Sequence, residues 1–265
     1  MMHGYIPPHR FLPYLSWTEI DALPDRENTA IVLPVGAIEQ HGPHLPCAVD
    51  SVISAGVLGH ALGKLPAEVR AFGLAPITYG KSDEHLHFPG TMTLTGPTLL
   101  NVVQEIGESV YRAGFRKLLL ANGHGGQPQV LEMAARELRL RHGDFVVVPF
   151  HVSRLPNASG KFVSEQEKKL AMHAGHSETA LMLALAPETV RMDRAVANER
   201  VVVFPAPFGP TRPKNDPVGT SRSMPSTATF SPNRFTRPVI CSAAAASVSL
   251  IETSLASVSP PDERV

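Results

Sequence analysis

From about residue 10 to about residue 198, short apolar runs alternate with amphipathic stretches, and this alternation limits the fold more than any other feature of the chain. Residues 31–35 (IVLPV), 75–78 (APIT), 117–121 (KLLLA) and 145–150 (FVVVPF) read as strands. Residues 50–65 carry apolar side chains at Val52, Ile53, Val57, Leu58, Ala61 and Leu62, the spacing of one helix face. A second helix is expected from a Thr95 cap to about Ala113, ended by Gly114, and a third over residues 128–142, stopped by Gly143. Residues 177–186 predict a fourth. Strands separated by helices of this length pair in parallel through crossovers, with helices on both faces. The expected fold class is α/β, a three-layer α/β/α arrangement around a mostly parallel central sheet.

In such folds ligands bind beyond the carboxyl ends of the strands, and the sequence carries its chemistry there. After residues 31–35 the chain turns at Gly36 and runs Glu39-Gln-His41-Gly-Pro-His44, with Asp50 following. A hydrophobic core has no use for such a cluster at the end of a buried strand. Carboxylate oxygens and neutral imidazole nitrogens are the usual ligands of Zn, Mn and Fe, so the cluster reads as a divalent-metal site. After residues 117–121, Asn122-Gly-His124-Gly-Gly offers a further imidazole, with glycines that permit a tight turn. A lone histidine after a strand is more often a hydrogen-bonded structural residue; the flanking glycines favour a ligand. His173-Ala-Gly-His-Ser-Glu178-Thr is the third such segment. Ser177 there reads as a helix cap and Glu178 as a first-turn carboxylate favoured by the helix dipole, so a structural role for Glu178 stays open. Residues 82–91, SDEHLHFPGT, form either a solvated loop or a cover over a substrate. His44 fits a partner behind the ligands better than a ligand.

Lysine plus arginine and aspartate plus glutamate both number 24, so no nucleic-acid surface or acidic partner is expected. Two distant cysteines, Cys47 and Cys241, do not make a disulfide scaffold and fit a reducing compartment. The N-terminal residues lack a continuous apolar signal region, and no run approaches the length of a spanning helix. A cytoplasmic protein is the expectation. Beyond residue 200 the periodicity stops: residues 201–265 hold ten of the 25 prolines and only four acidic residues. Prolines 205, 207, 210, 213 and 217 forbid a helix and discourage a central strand there. Residues 1–200 are thus read as one domain. Residues 201–265 are read as a Pro/Ser-rich irregular tail, either surface-wrapping or disordered, or translated out of register with the ancestral gene.

Four motifs in order, LPVGAIEQHGPH from Leu33, HFPGT from His87, NGHGG from Asn122 and HAGHSET from His173, resemble the creatininase (creatinine amidohydrolase) family. The resemblance implies an α/β fold and hydrolysis of an amide C–N bond by two divalent metals (Zn, Mn or Fe), with a hexameric assembly. It implies Glu39, His41, Asp50, His124 and Glu178 as metal ligands, with Asp50 bridging, and His173 and Glu178 as catalytic residues, His173 handling protons. In creatininase itself the segment after this strand supplies a metal-binding glutamate where Gly126 stands here, which is the reason for assigning Glu178. Creatininase also uses tryptophans near its site, whereas the single tryptophan here is Trp17. The substrate is therefore expected to be a small-molecule amide, cyclic or a formamide; relatives that trim a small peptide in redox-cofactor maturation are the alternative. A non-catalytic protein with a structural metal is a third reading. A dinucleotide site is not supported, because NGHGG lacks the glycine spacing of that fingerprint.

Overall fold

A computed structural model describes residues 1–155 and 173–195. Among these residues, four parallel strands form one sheet in the order β2-β1-β3-β4, with β1 Ala30–Val35, β2 Ala71–Gly73, β3 Lys117–Asn122 and β4 Val146–His151. Register runs Ala30 to Lys117 through Val35 to Asn122, and Lys117 to Val146 through Asn122 to His151. Helices α2 (Val49–Lys64), α3 (Gly96–Arg112) and α4 (Pro128–Arg141) connect successive strands, after a short α1 (Trp17–Asp21); α5 (His176–Leu185) packs on α2.

Every residue of β1 and β3 is buried, because each strand is covered on both faces. Their side chains alternate between two cores as the pleat requires. Ala30, Val32, Leu119 and Ala121 join Val49, Ile53, Val57 and Met182 under α2 and α5. Ile31, Leu33, Val35, Leu118 and Leu120 join Leu99, Val103, Leu131 and Leu138 under α3 and α4. The three-layer α/β/α class expected from the alternation is the class observed, and helix α3 begins at Thr95, whose side chain accepts from the Thr98 N–H.

Two local expectations are corrected. The second strand lies at Ala71–Gly73 rather than residues 75–78, where Ile77 makes only an isolated bridge to Val35. Three residues suffice for an edge strand, and the apolar 75–78 run instead continues along the end of β1. Ser177 does not cap α5: Gly175 holds the cap position without a side-chain bond, and Ser177 falls within the first turn. The tail proposed for residues 201–265 lies outside the described residues. Among those described, no helix is long and apolar enough to cross a membrane.

The chain passes from β1 to β2 on one side and then to β3 on the other, so the strand order reverses between β1 and β3. Ligands collect at such a reversal, beyond the carboxyl ends of the strands. The segments after β1 and β3 are held together there by Gly123 N–H donating to Val35 O at 2.8 Å. Gly36 lets the first turn of α2 press against the strand end: a Cβ on it would stand 2.4 Å from Ser51 Cα and 2.6 Å from Ser51 N. Ser51 Oγ then donates to Ala37 O at 3.0 Å or to Thr78 O at 2.9 Å, so the N-terminus of α2, and Asp50 with it, is pinned to the end of the sheet. Gly36→Ala is expected to force backbone apart and to destabilise the fold by about 1–3 kcal/mol. Chemical denaturation should show a lower midpoint with an unchanged slope; a midpoint equal to wild type would refute this packing role.

Candidate metal centre

Glu39, His41, Asp50 and His124, drawn from three segments, meet at the reversal point and are almost wholly buried. Asp50 lies between the two imidazoles. Its Oδ1 is 3.3 Å from His41 Nε2, and its Oδ2 is 3.1 Å from His124 Nδ1. Glu39 Oε1 is 3.3 Å from the same His124 nitrogen. Glu178, in the first turn of α5, brings Oε1 to 4.0 Å from His41 Nε2, and its Oε2 accepts from the Ala174 N–H. That N–H is aimed by the left-handed backbone of Ala174, φ 54°.

Each imidazole is oriented from behind by a backbone carbonyl. A carbonyl can only accept, so the nitrogen facing it carries the hydrogen. His41 Nδ1 donates to Glu39 O at 3.1 Å, and His124 Nε2 donates to Lys81 O at 2.9 Å. In their neutral forms both rings therefore turn a lone pair, not a hydrogen, toward carboxylate oxygens. Lone pairs about 3 Å from a carboxylate are repulsive unless a positive charge stands between them. In keeping with this, Glu39 Oε2, His41 Nε2 and Asp50 Oδ2 are buried without hydrogen-bond partners.

Protons can supply the charge. Burial alone would lower both histidines, but Asp50 outweighs it at His41, which rises to about 9, and Asp50, Glu39 and Glu84 together outweigh it at His124, which rises to about 12. Asp50, despite burial, is held well below the usual carboxylate range by His124 and His41. Burial pushes Glu178 up to about 7. A divalent cation supplies the charge equally well, and the donor set suits one: metal–ligand bonds of about 2.0–2.2 Å join donors about 3–3.5 Å apart. His124 Nδ1 lies 3.3 Å from Glu39 Oε1 and 3.1 Å from Asp50 Oδ2, and His41 Nε2 lies 3.3 Å from Asp50 Oδ1 and 4.0 Å from Glu178 Oε1, so Asp50 faces both imidazoles.

His173 stacks on His41 and His85, with ring centroids 4.1 and 4.5 Å away. Its Nε2 donates to Gln40 O, and its Nδ1 lies 3.6 Å from Glu39 Oε1. Burial, with the neighbouring His41, lowers it to about 3, so it is neutral. The cluster opens on a cavity of about 280 Å³, room for a small molecule, whose lining also includes His151, Ser153 and Arg154. His44 stays out of the cluster; its Nε2 pairs with Thr179 Oγ1 at 2.9 Å and so tethers the helix that carries Glu178.

Sequence reasoning missed Glu84 and His85 individually. Both line the cavity, from the loop expected either to be solvated or to cover a substrate. Their signal was present in the run of polar residues in SDEHLHFPGT, but nothing in it distinguished Glu84 from its neighbour Asp83. In the structure Asp83 turns outward to Lys81 Nζ at 3.0 Å.

The sequence model of the Creatininase family, described as creatinine amidohydrolase, matches residues 13–239. The mycofactocin precursor peptide peptidase of Mycolicibacterium smegmatis is 36% identical over 168 residues, 63% of this chain and 62% of that protein. The chain thus spans somewhat under two thirds of that relative's length. The creatinine amidohydrolase of Pseudomonas putida is 33% identical over 238 residues, 82% of this chain and 88% of that protein. A solved structure named Creatininase Mn aligns over 93% of both chains with a TM-score of 0.59 and 29% identity. With its parallel sheet, its carboxylate–imidazole cluster and a family match over most of its length, this chain belongs to the Creatininase family.

Proposed function

We propose that the protein is a metal-dependent amidohydrolase that cleaves a small-molecule amide, cyclic or a formamide, with Glu39, His41, Asp50, His124 and Glu178 holding two divalent cations (Zn, Mn or Fe). The observation that carries the reading is the pair of carbonyl-locked imidazoles whose lone pairs converge on the shared, buried Asp50 carboxylate. Support also comes from the relatives, two of which are named a precursor peptide peptidase and a creatinine amidohydrolase. The proposal includes a cytoplasmic setting, consistent with the free thiol of Cys47, and assembly as a homo-oligomer.

Cations bound there would supply Lewis acidity, polarising an amide carbonyl and making a water molecule acidic enough to attack near neutral pH. The residues of the chain do the rest. Asp50 keeps negative charge at the base of the cavity, and burial excludes bulk water that would screen it. His173, neutral and with Nδ1 on the Glu39 side, is placed to pass the proton lost by the attacking water to the leaving nitrogen. Gln40 O fixes its ring so that the same nitrogen stays available. A second reading, cleavage of a short peptide, is favoured by the 36% identity to the peptidase.

An amine- or ammonia-release screen of the Zn-, Mn- and Fe(II)-loaded protein, across cyclic amides, formamides and short peptides, tests the reading. Turnover of a non-peptide amide that a chelator abolishes and added metal restores is expected. Turnover of peptides alone favours the second reading, and no turnover of any class with both cations bound overturns hydrolysis.

Asp50→Asn removes the shared charge from both proposed cation positions. Metal content should fall from about two per chain to below one, and activity by at least about a thousandfold, the scale on which loss of a whole catalytic unit acts. A variant with full metal content and turnover would remove Asp50 from its role.

Cation binding must displace the protons that the raised histidines carry. At pH 7.5 His41 and His124, at about 9 and about 12, are both charged in the cation-free protein, so filling both positions should release about two protons per chain. Affinity should weaken as pH falls, and more steeply below about 9, where His41 also takes up its proton. Calorimetric titrations in buffers of different ionisation heat measure this, and binding without proton release would contradict it. In the cation-free protein the same charged His41 stabilises the fold fully below its ordinary value of 6.5, and that contribution fades as pH rises through about 9.

A further inference from the structure

Glu84 is unaccounted for by the ligand set. It sits on the single turn Asp83–His85, in the loop between β2 and α3, with its side chain 13% exposed. Its Oε1 is 3.4 Å from His124 Nε2, on the ring edge opposite the one that faces Glu39 and Asp50. The same nitrogen lies 2.9 Å from Lys81 O and 3.3 Å from Ser82 Oγ. One loop thus surrounds one ring N–H with three oxygens.

The space that the carboxylate fills exists because residue 126 has no side chain. A Cβ there would stand 2.0 Å from Glu84 Oε1 and 2.5 Å from His124 Nε2. Gly125, one residue earlier, faces nothing within 4 Å, so the crowding is specific to position 126. The turn after β3 and the loop after β2 are fitted to each other around the outer edge of His124. Nothing in the fold demands a carboxylate at that place: an apolar or amide side chain would fill it without bringing a negative charge to a buried ring.

We propose that Glu84 is a positioning residue for the cation site. Its carboxylate, admitted by Gly126, accepts from His124 Nε2–H together with Lys81 O. This holds the ring in the tautomer that presents Nδ1 to the cation and makes that nitrogen a stronger donor. The inference rests on the reading of His124 as a ligand. Carboxylates set behind ligating imidazoles in this way typically change metal affinity by about 10–100-fold.

Titration of the chelator-treated full-length protein with Mn²⁺, following free aquo-Mn²⁺ by electron paramagnetic resonance, tests it. Glu84→Ala should weaken one of the two Mn²⁺ sites by about 10–100-fold, with the thermal midpoint of the cation-free protein within a few degrees of wild type. Glu84→Gln, which keeps an acceptor oxygen but not the charge, should recover part of the loss and serves alone if the alanine variant does not fold. Gly126→Ala, which leaves the carboxylate in the chain but displaces it, should weaken the same site. Wild-type affinity at both sites in Glu84→Ala and Glu84→Gln overturns the inference while leaving the hydrolase reading intact. A wild-type protein that binds none of Mn²⁺, Zn²⁺ and Fe²⁺ overturns both.

Discussion

The structure around the end of the sheet depends on one electrostatic requirement. Two imidazoles, each locked by a carbonyl behind it, point lone pairs at a carboxylate buried between them. Such an arrangement holds only with positive charge in the gap, carried by protons or by metal ions. In the cation-free protein the protons are retained far above the ordinary range of histidine, which measures how strongly the carboxylates demand that charge. The same demand is the physical basis of the proposed cation binding.

Backbone geometry brings these groups together. Both Glu39 and His124 follow strands that are neighbours in the sheet but belong to oppositely directed crossovers, so no helix closes the gap between them. Asp50 reaches the gap from a third direction, because Gly36 lets α2 start hard against the end of β1. Glu178 arrives from α5, anchored through Thr179 to His44. The site is thus assembled from four segments, each tied to the rigid sheet by short contacts.

Much of this was readable in the residues. The doubly buried strands announced themselves as unbroken apolar runs at residues 31–35 and 118–121, since a strand covered on both faces has no polar side to show. Thr95 and Gly114 bounded α3 by local chemistry that survives in any context. Glu39, His41, Asp50 and His124 stood out because charged groups after a buried strand have no packing explanation. The edge strand Ala71–Gly73 was not legible: three residues carry no periodicity, and their pairing is decided by the neighbour β1. Ser177 looked like a cap because serine often is one, yet the backbone enters α5 through Gly175 instead.

By itself, the order of residues determined the layered α/β class and the nature of the ligand chemistry, because both follow from local pattern: apolar runs, helical spacing, and donors placed after strands. Only tertiary structure decided which nitrogen of each histidine faces inward, since that depends on carbonyls of residues 39 and 81 meeting the rings from outside. It alone also set Glu84 apart from Asp83: adjacent acids in a polar loop are equivalent until Gly126, more than 40 residues on, leaves room beside His124 for one of them.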